Sequence, residues 1–90
     1  MAIGVIFDGS GMSQNQYEQV NQQVSPGNRP PPGLLYHAAG RGDGGFYIIE
    51  VWESQEALQE FFAQQLGRAL QQASVTAQPR FFEVINTMQP

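Results

Sequence analysis

His37, Glu50 and Trp52 are the residues of this 90-residue chain whose types and spacing come nearest to a chemical site. His37 is the only histidine, Trp52 the only tryptophan, and Glu50 a carboxylate inside an otherwise apolar strand pattern. Gly40-Arg41-Gly42-Asp43-Gly44-Gly45 separates them and is dense in residues that tolerate positive φ, so it reads as a hairpin connection. If Asp43-Gly44 is a two-residue turn, Gly42 faces Gly45 and His37 stands directly opposite Glu50. Pairing Ala39 with Phe46 instead sets His37 against Ile48, yet His37, Glu50 and Trp52 still share one face. Only a bulge or an even-offset turn breaks that parity.

A histidine whose tautomer is fixed by a carboxylate is a general base, or a hydrogen-bond partner, for an acidic phenol or enol. Removing such a proton makes the electron-rich carbanion that reaction with oxygen needs when no cofactor takes part. In that reading His37 is the base and Glu50 its orienting partner, while Leu35, Ile48 and Trp52 wall a pocket for a small apolar or aromatic molecule. The alternative is a non-catalytic binding or structural protein. There His37 is a half-buried strand histidine paired with Glu50 at a subunit interface, and Trp52 an interface or core anchor. A ligand-sized cavity beside His37 separates the first reading from the second, which needs close packing there.

Composition removes other chemistries. The chain carries eight Asp/Glu, four Arg and no Lys, for a net charge of −4. That balance argues against a nucleic-acid backbone binder, and the absence of lysine excludes Schiff-base chemistry and a P-loop. Without cysteine there is no thiol catalysis, disulfide or Cys-type zinc site. One histidine and scattered carboxylates make no metal-ligand cluster, so neither metal nor cofactor is expected. Met1 to Phe7 is apolar but lacks the basic n-region of a signal peptide, and no apolar run is long enough to span a bilayer. A soluble, cytoplasmic protein without a membrane partner is the expectation.

The elements that must position these residues follow from pattern. Ala2 to Phe7 reads as a strand closed by Asp8-Gly9-Ser10-Gly11. Ser13 opens a helix with Gln16 at capping-box spacing, and Tyr17, Val20 and Val24 form its narrow apolar stripe. Ser25-Pro26-Gly27 ends it, and Pro30-Pro31-Pro32 stiffens the following loop. Leu34 to Ala39 and Phe46 to Glu53 are strands. Ser54 caps a second helix through Leu58, Phe61, Phe62, Leu66 and Leu70, with Gly67 marking a kink or early end. Phe81 to Met88 is the last strand. The order β-α-β-β-α-β predicts one α+β, ferredoxin-like domain over residues 1–90, a four-stranded antiparallel sheet with both helices on one face.

Both faces of that sheet are apolar. Tyr47, Ile49 and Val51 alternate with Phe46, Ile48 and Trp52, and Ile3, Val5 and Phe7 alternate with Ala2, Gly4 and Ile6. One set packs on the helices, and the other would be exposed in a monomer, so a homodimer through the open face is expected.

The runs Pro31 to Gly40 and Gly45 to Ser54, then Glu56-Ala57-Leu58 with Phe61-Phe62 and Leu66, resemble small bacterial proteins of one group. It is the antibiotic-biosynthesis-monooxygenase-like (ABM-like) branch of the dimeric α+β-barrel superfamily. The Trp-Glu-Ser step into the second helix is the most recognisable piece. The resemblance implies a ferredoxin-like subunit whose sheet meets its mate's to form a barrel, with a pocket on each side. Activities implied by the superfamily include cofactor-free oxidation of polyketide-like phenols and haem degradation. The haem-degrading branch uses a histidine on the second helix and an asparagine on the first strand, and neither stands here.

Other motifs carry less. Asp8-Gly9-Ser10-Gly11 lacks the lysine and third glycine of a phosphate cradle. Arg41-Gly42-Asp43 spells an integrin tripeptide but reads as turn chemistry, and the three prolines as a stiff connection. Gly45 to Val51 is similar to the aromatic third strand of an RNA-recognition motif. Glu50, Glu53 and the absence of lysine argue against RNA.

Overall fold

The computed structural model describes residues 1–9 and 11–90. Ser10, within the Asp8–Gly11 turn signal, lies outside the described residues. The elements are β1 (Ile3–Gly9), α1 (Gln14–Val24), β2 (Leu34–Gly42), β3 (Gly45–Trp52), α2 (Gln55–Phe61), a π-helical turn (Phe62–Leu66), α3 (Gly67–Gln72) and β4 (Arg80–Glu83). A short 3-10 turn, Pro26–Asn28, follows α1. The strands form one antiparallel sheet in the order β2-β3-β1-β4. This is the α+β, ferredoxin-like arrangement that the strand and helix order predicts.

Pleating decides what each face buries. β1 pairs with β3 so that Val5 lies opposite Glu50 and Phe7 opposite Ile48. Val5, Phe7, Phe46, Ile48 and Trp52 then point toward the helices and form the core with Met12, Leu58 and Phe61. Burying one such side chain contributes about 1.5–3 kcal/mol, which is what holds the helices on this face. On the other face Tyr36, Tyr47, Ile49 and Phe82 remain exposed, Tyr36 at 59% and Ile49 at 42%. Gly4 makes room there for Phe82, because a Cβ at Gly4 would sit 2.1 Å from the ring's Cζ.

The helices start where their caps are. The Ser13 hydroxyl accepts from the Gln16 N–H at 3.1 Å, and the Gln16 side chain accepts from the Ser13 N–H at 2.8 Å, completing the capping box. The Gln16 amide also donates to the Ala73 carbonyl at 3.0 Å, tying the start of α1 to the end of α3. Ser54 caps α2 through the Ala57 N–H, 3.1 Å away. Gly67 does not end the second helical rod. Its N–H reaches back to the Phe62 carbonyl, five residues earlier, and the rod runs on through a π-helical turn.

The last strand is shorter than the expected Phe81 to Met88. β4 pairs only with β1, and Ile3↔Glu83 is the final register pair because β1 begins at Ile3. One further bond, from the Val84 N–H to the Ala2 carbonyl, closes the ladder. Ile85 and Met88 lie beyond it and are exposed. No helix among the described residues is long and apolar enough to cross a membrane.

Candidate functional site

The β2–β3 hairpin fixes the positions of His37 and Glu50. Asp43 and Gly44 form the turn, Gly44 taking a positive φ of 87°, and Gly42 pairs with Gly45. Regular pairing back from the turn sets His37 opposite Glu50 and Tyr36 opposite Val51. A bulge then intervenes, so that Leu34 rather than Leu35 pairs with Trp52. Because the bulge falls beyond His37, it leaves the His37–Glu50 register intact. Leu34 packs on the core, and Leu35 becomes the extra, exposed residue.

The pair faces the helices, not the open side of the sheet. His37 Nδ1 lies 2.6 Å from Glu50 Oε2, and the two side chains are 26% and 12% exposed. Two residues on along the same strand face, the Trp52 indole N–H donates to Glu50 Oε1 at 3.0 Å. The fourth member comes from α1, whose stripe brings the Tyr17 hydroxyl to 2.6 Å from His37 Nε2. The Tyr17 ring stacks beside the imidazole, with centroids 5.8 Å apart and planes 18° from parallel, and leans on Phe46 at 4.9 Å.

With a neutral imidazole, one proton arrangement satisfies the whole chain of groups. Tyr17 O–H donates to Nε2, Nδ1–H donates to Glu50, and Trp52 donates to the other carboxylate oxygen. Tyr17 is suited to the donor role. Burial, and secondly the negative charge of Glu50, hold its hydroxyl above the usual phenol value of 10.0. The network therefore presents a basic nitrogen, oriented from behind by a carboxylate, to a phenolic O–H.

A cavity of about 370 Å³ lies under α1 beside this network. His37, Glu50, Leu35 and Ile48 line it, so four of the five residues singled out from sequence meet at one cavity. Trp52 does not line it. Its side chain is 0% exposed and packs against Phe61 with centroids 5.3 Å apart, holding Glu50 from the core side. Sequence pattern marks Tyr17 only as part of an apolar stripe. The available signal is a hydroxyl-bearing aromatic on a core-facing stripe, whose polar end needs a buried partner. A wider groove of about 920 Å³ between α2 and β4 shares Phe7, Glu50, Leu66 and Leu70 with the cavity. Of its two carboxylates, Glu50 is occupied by His37 and Trp52 and Glu83 is exposed at the end of β4. Among the described residues no group of three or more His, Cys, Asp or Glu is placed to hold a metal ion.

No protein-family model matches the sequence, and comparison with curated proteins finds no match. Solved structures do match over nearly the full length. One is provisionally assigned as an antibiotic biosynthesis monooxygenase from Chloroflexus aurantiacus, with TM-score 0.69, 14% identity and coverage of 99% of this chain and 98% of that one. A second is SnoaB, a cofactor-independent oxygenase from Streptomyces nogalater, with TM-score 0.62, 21% identity and coverage of 99% and 96%. A third is a haem-degrading protein from Mycobacterium tuberculosis, with TM-score 0.61, 17% identity and coverage of 99% and 100%. The chain thus has the fold of the ABM-like structures.

Proposed function

We propose that the protein is a homodimeric, cofactor-independent monooxygenase acting on a small aromatic molecule with an acidic O–H. The observation that carries this reading is the pairing at His37 Nε2. A phenol, that of Tyr17, already sits on this nitrogen at 2.6 Å, so the site has the geometry a phenolic ligand needs. Such a ligand displaces the Tyr17 hydroxyl, gives its proton to Nε2, and leaves an imidazolium paired with the Glu50 carboxylate. The resulting carbanion adds oxygen to form a hydroperoxide. Loss of water leaves a carbonyl, so that a CH2 and O2 become C=O and H2O. The shared fold with SnoaB supports the reaction class. Haem is a poorer fit, because 54–74 contains no histidine.

The dimer part of the reading rests on the exposed Tyr36, Tyr47, Ile49 and Phe82, which share the sheet face away from the helices. Apolar patches of this kind mark interaction surfaces, and a two-fold pairing of the face with itself is the simplest cover.

A second reading has its own observation. Every polar group of the Tyr17–His37–Glu50–Trp52 network is already satisfied internally, which suits a binding protein with no turnover. Oxygen uptake across a panel of polyphenols and quinols, measured for the protein and for His37→Ala, separates the two. Turnover that is lost in a variant of unchanged subunit assembly supports catalysis. A panel with no uptake above the variant's background supports binding alone.

A further inference from the structure

We infer that the end of the cavity away from His37 is an anion subsite centred on Arg29, which takes the carboxylate of an aromatic acid. This rests on the reading of the cavity as a ligand site and narrows its ligand to an apolar body with an acidic group at each end.

The lining of the cavity divides by position along α1. Tyr17, His37 and Glu50 form one polar end, and Val20, Val24, Leu34 and Leu66 are part of the apolar middle. Apart from Tyr36 on β2, the other polar residues on its wall, Asn21, Ser25, Asn28 and Arg29, cluster at the C-terminal end of α1 and the 3-10 turn after it. From Tyr17 to Ser25 the helix rises roughly 12 Å, at 1.5 Å per residue. That length accepts a two-ring aromatic between the two ends.

Charge decides which group the far end takes. Of the eight acidic residues only Glu50 lines the cavity, and both its oxygens are committed to His37 and Trp52. Arg80 is paired with Asp8, whereas Arg29 forms no salt bridge among the described residues. Its guanidinium is therefore a cation of the cavity wall that no carboxylate pairs among the described residues, in a chain of net charge −4. The Asn21 amide donates to Asn28 Oδ1 at 3.3 Å, so Asn28 offers its own N–H groups rather than an open acceptor. Arginine and amide donors beside each other suit a planar carboxylate, which accepts from both. The exposed carbonyls at the end of α1 repel an anion, which leaves the affinity dependent on Arg29.

The test uses 6-hydroxy-2-naphthoate, with a phenol and a carboxylate at opposite ends, and 2-naphthol, which keeps only the phenol. Both are titrated by their own fluorescence into the protein, Arg29→Met and Arg68→Met, the last an exposed arginine that does not line the cavity. Arg29 is exposed, so its loss leaves the core untouched. The protein binds the acid more tightly than 2-naphthol. Arg29→Met weakens the acid by about tenfold and 2-naphthol by less than about twofold, and Arg68→Met changes neither. Added salt narrows the preference of the unmodified protein. Equal binding of the two ligands, or equal losses for both in Arg29→Met, overturns the anion subsite while leaving the cavity reading in place. If neither ligand binds the unmodified protein, the cavity reading itself fails.

Discussion

Replacing Glu50 with glutamine reverses the proton order of the network without dismantling it. The carboxylate accepts twice, from His37 Nδ1–H at 2.6 Å and from Trp52 Nε1–H at 3.0 Å. A glutamine at this position has one oxygen and one NH2. The buried indole has no acceptor role, so it keeps the oxygen, and the NH2 turns to His37. Nδ1 then becomes the acceptor, the imidazole proton moves to Nε2, and Nε2–H donates to the Tyr17 oxygen. Every group but the Tyr17 O–H, which must turn away into the cavity, stays paired, and two charge-assisted bonds become neutral ones, at about 1 kcal/mol each. Relief from keeping a charge only 12% exposed offsets part of that, leaving a net loss of about 1 kcal/mol. Glu50→Ala differs, because it strands the Trp52 N–H in the core and opens a void. It costs about 2–4 kcal/mol. Chemical denaturation gives the two stabilities, and long-range proton–nitrogen NMR of the single histidine reads its tautomer directly. The unmodified protein carries the proton on Nδ1 and Glu50→Gln carries it on Nε2, with oxygen-dependent turnover lost in the latter. The same tautomer in both, or equal stability losses for Gln and Ala, refutes the orienting role given to Glu50.

Two further predictions follow from the same geometry. Tyr17→Phe frees Nε2, so 2-naphthol binds a few-fold more tightly, and absorbance titration of tyrosinate loses its latest component. The folded-state value of Tyr17 is raised, so its contribution to stability is complete below pH 10.0 and falls as pH rises beyond it; the variant lacks that alkaline loss. Ile49→Arg places a charge at the centre of the open sheet face, where Ile49 is 42% exposed. Light scattering is expected to give a dimer mass for the unmodified protein and a monomer mass, with unchanged helical content, for the variant.

How much of the fold is legible in the sequence depends on whether the signal is local. Ser13 with Gln16, and Ser54, mark helix starts because caps act within one turn. Asp43-Gly44 is a two-residue turn signal: residue spacing puts His37 and Glu50 on one face in either register, and the Gly42–Gly45 pairing sets them directly opposite. The end of β4 is not legible in this way, since it depends on where a strand some eighty residues earlier begins. Phe81 to Met88 has strand composition throughout, but the ladder with β1 ends at Ile3↔Glu83 and the single bond from Val84 to Ala2. The role of Tyr17 is hidden for the same reason. It comes from packing α1 over the hairpin, and nothing in the spacing of twenty residues announces His37 as its partner. Trp52 shares the face of His37 as parity requires, but Phe61 and the core close over it. Parity assigns a face, and only packing decides whether that face is cavity or core.

Oxygen consumption decides whether His37 acts as a base in turnover. The unmodified protein is offered polyphenols and quinols in air-saturated buffer, beside His37→Ala verified to have the same mass in solution. At least one compound is expected to drive oxygen uptake by the protein, one O2 per molecule oxidised, falling to the buffer rate in His37→Ala. Uptake that persists undiminished in His37→Ala contradicts that role for His37.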